Sequence, residues 1–175
     1  TSIGAGAFNS CSKLSRVDIS DISSWLGISF GNSNANPLVY GKYLYLNGEE
    51  LKRLIIPDKI LKINDCAFYN CSSLSSIKIP NSVTSIGDAA FSGCRSLTSV
   101  TIGNSVTSIG NSAFSYCSSL SSIEIPNSVT SLGNSAFFYC TSLSSIEIPN
   151  SVTSIGNSAF SFCSNLKSIE IPNSV

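Results

Sequence analysis

The chain has no histidine, no methionine, a single tryptophan and only 11% charged residues. Without histidine no serine or cysteine has an imidazole base, which excludes the usual hydrolase triad. Ten basic residues balance ten acidic ones, so the chain has no general attraction for nucleic acid or anionic lipid. It holds no basic cluster and no glycine-rich phosphate loop, and no nucleic-acid partner is expected. No run of about 18 apolar residues occurs, so no membrane insertion is expected from this segment. No leader is visible at Thr1. Lacking methionine and opening in mid-repeat, the sequence reads as a mature product, a fragment, or one unit of something longer.

What is present is periodicity. Phe68, Phe91, Phe114, Phe137 and Phe160 fall 23 residues apart. Cys71, Cys94, Cys117, Cys140 and Cys163 keep that step, as do Leu74, Leu97, Leu120, Leu143 and Leu166. A fixed period of this length predicts stacked coils, one supersecondary unit per repeat. Each coil then contacts only its neighbours, so length counts coils rather than domains.

The repeat Asn111 to Gly133 shows what each position does. Leu120, Ile123 and Ile125 form an LxxLxL pattern in which Ile123 and Ile125 alternate with Ser122 and Glu124, as in a short strand with one buried face. Pro126-Asn127 ends the strand. Val129 and Leu132 point back inward, and Gly133 allows a tight corner. Asn111 is placed to cap a short helical turn whose inner side carries Ala113, Phe114 and Cys117. One coil cannot bury these groups alone. Stacking predicts a phenylalanine spine along one edge and a parallel sheet along the other, with strands about 4.8 Å apart.

These residues resemble the BspA-like leucine-rich repeat of bacterial surface antigens. Thr84 to Val106 read TSIGDAAFSGCRSLTSVTIGNSV and Thr107 to Val129 read TSIGNSAFSYCSSLSSIEIPNSV. Five coils match almost position by position, and Thr1 to Ile19 match with small departures. The resemblance implies an α/β fold: a right-handed solenoid of about seven coils, with short parallel strands on a concave face and short helical turns on the other side. It also implies an extracellular or cell-surface location, adhesive or protein-binding roles, and no shared catalytic residues. Low charge with abundant Ser, Thr and Asn points the same way.

Residues 1–19 read as a first coil, 20–50 as an irregular insert and 51–175 as regular coils. Ile19 and Ile56 hold one coil position yet lie 37 apart. The insert contains Trp25, Phe30, Tyr40, Tyr43 and Tyr45. Tyr43 to Leu46 alternate like a strand, and Asn47-Gly48 is a strong turn signal. Two readings stand: a long coil whose aromatics cover their own small core, or a protruding loop that sets binding specificity.

Three surfaces are candidates for binding. The insert supplies Trp25, Phe30, Tyr40 and Tyr43. The outward position between the buried strand aliphatics runs Asp18, Ile55, Lys78, Thr101, Glu124, Glu147, Glu170; its three glutamates form either a solvated row or a seat for a cation or basic partner. Paired carboxylates serve glycosidases across a cleft, but these stand side by side on an open sheet. Tyr116, Tyr139 and Phe162 precede column cysteines and form either an outward aromatic stripe or a half-buried one. The columns Ser122-Ser145-Ser168 and Asn127-Asn150-Asn173 are read as side-chain hydrogen-bond ladders.

Column cysteines in register point in parallel, and five cannot pair completely, so a reduced buried ladder is expected. Cys66 and Cys71 have no second pair facing them, so no metal and no cofactor are expected. The 175 residues hold seven periods of 23 with 14 left over, and Pro172 to Val175 are in phase with Thr1 to Gly4. That phase suggests an end-to-end interface between Ile3, Phe8, Cys11, Leu14 and Ile19 on one side and Phe160, Cys163, Leu166, Ile169, Ile171 and Val175 on the other. The expected function is a non-enzymatic surface module that binds a host or matrix protein. The alternative is a subunit of an extracellular fibre that binds itself through the solenoid ends.

Overall fold

The computed structural model describes residues 1–175. The first coil carries β1 (Ser2–Ile3) and β2 (Val17–Ile19). The second carries α1 (Ile22–Leu26), β3 (Ser29–Phe30), a 3₁₀ turn at Ser33–Ala35, α2 (Leu38–Gly41) and β4 (Leu44–Leu46), and folds back through β5 (Glu49–Glu50). Regular coils follow, each with a three-residue and a two-residue strand. These are β6 (Arg53–Ile55) and β7 (Lys62–Ile63), then β8 (Ser76–Lys78) and β9 (Ser85–Ile86). β10 (Ser99–Thr101), β11 (Ser108–Ile109), β12 (Ser122–Glu124), β13 (Ser131–Leu132), β14 (Ser145–Glu147) and β15 (Ser154–Ile155) complete the series.

The result is a parallel-strand solenoid of about seven turns. The three-residue strands stack in the orders β2-β4, β6-β8-β10 and β12-β14, with the sheet interrupted between these groups and the two-residue β5 added antiparallel to β4. The two-residue strands stack as β1-β3 and as a continuous five-stranded ladder from β7 to β15. This second ladder is not expected from the sequence, where a Ser-Ile pair is too short to show an alternation. Register follows the repeat: Ile123 faces Ile146 and Glu124 faces Glu147.

The regular coils contain no helix, which corrects the expected short helical turns. The reason lies in where the N–H groups go. Ser112, Phe114 and Tyr116 donate to Asn134, Ala136 and Phe138 of the next coil at 2.8, 2.8 and 2.7 Å. The residues between them, Ala113, Ser115 and Cys117, close local turns on the residue three back. Ser112 and Tyr116 reach this arrangement in the left-handed region, with φ of 54° and 58°. A helix would turn all these donors onto its own coil; here half are spent on the neighbour.

The core is one continuous cluster running from Trp25 to Cys163. Phe68, Phe91, Phe114 and Phe137 are fully buried, and with Phe160 they stack at ring-centroid distances of 5.4 to 5.6 Å with planes within 13° of parallel. Burying each ring stabilises by roughly 1.5–3 kcal/mol. Coils approach closely at the corner glycines. A Cβ on Gly133 would lie 2.5 Å from the Gly110 carbonyl carbon.

The 37-residue step is one coil of 27 residues plus a ten-residue reversal. Ile3 pairs with Phe30 and Ile19 with Leu46, so residues 20–46 stack as a complete second coil. The chain then reverses at Asn47-Gly48, where both φ angles are positive (51° and 85°) and Leu46 faces Glu49, the geometry of a two-residue hairpin. The segment therefore follows the long-coil reading, not the protruding loop.

Candidate functional site

The second coil lacks the phenylalanine of its neighbours and has Ala35 beneath Phe68. Other side chains do the work that backbone N–H groups do elsewhere. Trp25 Nε1 donates to the Ala67 carbonyl at 2.9 Å. Asn36 Nδ2 donates to the Cys66 and Ala67 carbonyls at 2.7 and 3.1 Å, while its Oδ1 accepts from Leu38 N–H. Asn64 Nδ2 donates to Leu26 and Ile28, and Asn70 Nδ2 to Val39. Trp25 also tilts against Phe30 at 5.4 Å.

This geometry corrects the insert as a binding surface. Trp25 and Phe30 are only 5% and 6% exposed and offer a partner nothing. Tyr40 is half-buried, and its hydroxyl accepts from Ser10 N–H at 3.0 Å, tying the first coil to the second. Only Tyr43 remains exposed. The sequence could not show this, because the carbonyls that engage Trp25 and Asn36 belong to residues some 30 to 40 positions away.

The outward row of the three-residue strands is sorted by charge. Asp18 is taken up by Arg16, whose Nε donates to it at 2.8 Å, and the Arg16 guanidinium lies 4.0 Å over the Tyr45 ring. That hydrogen bond holds the Asp18 carboxyl below the ordinary 3.8. Further along, Arg53, Lys78, Glu124 and Glu147 are exposed and make no ion pair; the two pairs in the molecule are Arg16–Asp18 and Lys52–Glu50. Glu170 stands on the last coil, exposed and outside any strand. Two open polar grooves flank the row. One is lined by Lys78, Thr101, Asn104 and Glu124, the other by Asn104, Glu124, Asn127 and Glu147. Sequence reading placed Lys78 in the row but singled out only its glutamates, and did not name Arg53, which stands in the adjoining outward column.

Tyr116, Tyr139 and Phe162 do form a stripe, 42%, 42% and 64% exposed. Ring centroids lie 5.3 Å apart for Tyr116–Tyr139 and 5.7 Å for Tyr139–Phe162. Phe138 sits edge-on to both Tyr116 and Phe162. All three stripe residues have left-handed backbone, with φ of 58°, 59° and 61°; the same coil position holds Asn70 and Gly93 at 61° and 77°. Asn and Gly reach that region at little cost, whereas a bulky side chain there is an outlier.

All seven cysteines are free thiols, and those from Cys66 to Cys163 are buried. Cys94, Cys117, Cys140 and Cys163 each donate a thiol to the phenylalanine carbonyl of the coil before, at 3.2–3.3 Å. Burial, and secondarily the neighbouring thiols, push Cys94 and Cys117 well above the ordinary 9.0. Cys140 is pushed to about 12 by burial and then by Cys163. Burial and then Asp65 and Asp88 push Cys66 to about 11. No three Cys, Asp or Glu side chains converge on one point.

The expected asparagine column makes one rung, Asn104 N–H to Asn81 Oδ1 at 2.8 Å, and the longer side-chain ladders lie in other columns. Asn111, Asn134 and Asn157 form one, each N–H accepted by the Asx side chain one coil back at 2.7–2.8 Å. Thr84, Thr107, Thr130 and Thr153 form another, each hydroxyl donating to the carbonyl one coil earlier. Of the residues expected at an end-to-end interface, Ile3, Phe8, Leu14 and Ile19 are half-buried and Cys11 is exposed. On the last coil Phe160 and Leu166 are half-buried, Ile169, Ile171 and Val175 are exposed, and Cys163 is buried with its thiol engaged.

The sequence matches the model of the BspA type leucine rich repeat region in six copies, over residues 1–38 and 39–167. A leucine-rich repeat protein of T. pallidum superposes with a TM-score of 0.68 at 35% identity, over 69% of this chain and 59% of that one. A leucine-rich cell surface protein of Faecalibacterium prausnitzii gives 0.68 at 32% identity, over 82% of this chain and 41% of its own. A leucine-rich repeat protein of Bacteroides ovatus gives 0.65 at 34%, over 71% and 34%. The chain thus spans between about a third and three fifths of these structures. No curated protein sequence matches. With six copies covering nearly the whole length and the stacked coils to go with them, the chain belongs to the BspA-type leucine-rich repeat family.

Proposed function

We propose that this chain is a non-catalytic protein-binding module of an extracellular or cell-surface protein, acting in adhesion. The observation that carries the reading is the aromatic stripe. Tyr116, Tyr139 and Phe162 stay half-exposed or more at positions where their backbone is strained and where asparagine or glycine would fit freely. Backbone strain at an exposed position points toward a role for the side chain outside the fold. Tyr and Phe are enriched in the cores of protein interfaces, and here the coils hold them in a fixed row on a rigid support. Membership of the BspA-type repeat family and the F. prausnitzii cell surface neighbour support the location. No helix is long and apolar enough to cross a membrane.

Beads coated with the chain test this on immobilised extracellular matrix and on cell layers. Retention is expected for the natural chain and strong loss for the triple variant Tyr116→Asn, Tyr139→Asn, Phe162→Asn, which keeps residues tolerant of the left-handed region. Unchanged melting of the variant separates lost contact from lost fold. Absence of retention, or retention indifferent to the stripe, overturns the reading.

A further inference from the structure

The sheet face carries a second pattern, distinct from the stripe. Along the outward row from the coil of Arg53 and Ile55 to that of Glu147, side chains change sign once. Lys78 stands on one side, with Arg53 in the adjoining outward column of the next strand, Thr101 in the middle, and Glu124 and Glu147 on the other. Lys52 is occupied by Glu50 at 3.4 Å, so Arg53 and Lys78 are the free cations of the basic side. The rest of this face is short: Ser99, Ser122 and Ser145, with Thr98, Ser121 and Ser144, lie exposed around the charges. The charged groups therefore project from a low hydroxyl floor. The whole chain echoes the sorting, with nine basic and seven acidic residues in 1–100 against one and three in 101–175.

Lys78, Glu124 and Glu147 make no ion pair within the molecule, although Asp58 lines the groove beside Lys78. Glu124 and Glu147 are register partners on adjacent strands, and two like charges about 5 Å apart repel by roughly 1 kcal/mol in water. A partner that fits must carry the reverse order at the same strand spacing. This face, turned by a half rotation, is such a partner. A two-fold axis in the contact plane, parallel to the strands and through Thr101, reverses the coil order. It sets Lys78 of one copy against Glu124 of the other and Ile55 against Glu147, with Arg53 two residues from Ile55 on the same strand and opposite Ser145. Every pair then occurs twice, as an isologous contact requires.

We propose that the outward face of β6 to β14 is a self-association surface, on which a second copy of this chain docks with its coil order reversed, through two reciprocal Lys78–Glu124 pairs, with Arg53 on the strand that faces Glu147. The proposal rests on reading the sheet row as a docking surface and is independent of the aromatic stripe. Five strands about 4.8 Å apart span roughly 20 Å, which places the contact below the standard interface size, in the class of weak and transient complexes. Its charges lie at the surface, so the contact is screened as the Debye length shrinks from about 10 Å at 0.1 M salt to 3 Å at 1 M. Ile55, 67% exposed, adds apolar area on the basic side.

Sedimentation equilibrium of the purified 175-residue chain tests this, at low and high salt and with no other partner present. Reversible dimerisation that weakens with salt is expected. Lys78→Glu and Glu124→Lys should each weaken it about tenfold or more, because each places like charges together at two symmetric points. The double variant K78E/E124K should restore dimerisation, since the pair is re-formed with its signs exchanged. Thermal melts establish that all three variants fold. A monomer at every concentration, a dimer indifferent to salt and to both single changes, or a double variant that folds but stays monomeric overturns the proposal. Bead adhesion can fail while this dimer persists, and the reverse, so the two readings fall separately.

Discussion

The regular coils and the second coil reach the same cross-section by different means. In the regular coils each core column sets like residues on one another 23 positions apart. Phenylalanine stacks on phenylalanine, the column thiols from Cys94 to Cys163 donate to a carbonyl of the coil before, and asparagine side chains accept backbone N–H groups along the column. In the second coil only a few backbone positions meet their own kind, as Ser29 meets Ser2, and no core side chain does. Ala35 replaces the ring, and Trp25, Asn36, Asn64 and Asn70 reach across with unique side-chain donors to carbonyls their neighbours leave open. Repetition makes a stack that tolerates local change by spreading the loss. A unique coil concentrates its stability in a few buried polar groups, which are costly to leave unpaired.

The largest effect that separates the two is alkaline unfolding. Burial raises the column thiols in the folded chain, with Cys140 near 12 and Cys94 and Cys117 well above 9.0. The unfolded chain loses those protons first. Stability is therefore full below about 9 and falls as pH rises toward 12, by about 1.4 kcal/mol per pH unit for each thiol ionised only in the unfolded state. Denaturant melts from pH 8 to 11 (values chosen to fall on either side of about 9) should show a slope of several thiols. A flat profile would break the account of the column. The second coil has the opposite sense. The Asp21 carboxylate is held below 3.8 by the Ser24 hydroxyl and then by backbone N–H groups at the start of α1. Its contribution is present above about 3.8 and fades as pH falls through the lowered value, which hydrogen exchange in residues 22–26 can follow.

Next come two substitutions. Phe114→Ala removes the central ring of the stack and should cost about 4 kcal/mol. Asn36→Leu keeps the volume but strips the Cys66 carbonyl and Leu38 N–H of their partner, and should cost about 3 kcal/mol. Chemical denaturation gives both, and hydrogen exchange locates them. Phe114→Ala should loosen the coils on either side alike, whereas Asn36→Leu should loosen residues 20–46 selectively. Uniform loosening by Asn36→Leu would show that the second coil is not a distinct unit.

The smallest effect has the opposite sign. Ser135 has φ of 55° at a position repeated by Cys66, Ala89, Ser112 and Ser158. Ser135→Gly should raise stability by up to about 1 kcal/mol, the relief of left-handed strain less the added chain entropy of glycine. A loss instead would mean that the turn is held by side-chain contacts rather than tolerated despite them.

Much of the architecture was legible because repetition writes tertiary contacts into the sequence. A column such as Phe68 to Phe160 is a list of neighbours in space. The inward and outward assignment of Ile123, Glu124 and Ile125 followed from alternation alone. Of the candidate surfaces, the glutamate row and the aromatic stripe were visible as columns. Helical turns in the regular coils were wrongly expected, because the choice between a local and a neighbouring acceptor for the N–H groups of Ser112, Phe114 and Tyr116 depends on carbonyls one coil away. The aromatics of the second coil were open between core and surface, because composition does not say which carbonyls lack a donor.

The sequence by itself determined the period, the stacking, the buried columns and the family. Each follows from local patterning repeated until neighbours must coincide. Only the tertiary structure decided that residues 20–46 make a full coil rather than a loop, that Trp25 and Phe30 are core, and that Lys78 and Glu124 have no ion-pair partner of their own. Those outcomes depend on donors and acceptors, or on charges, that meet once in the molecule, and a single meeting between distant residues leaves no periodic trace.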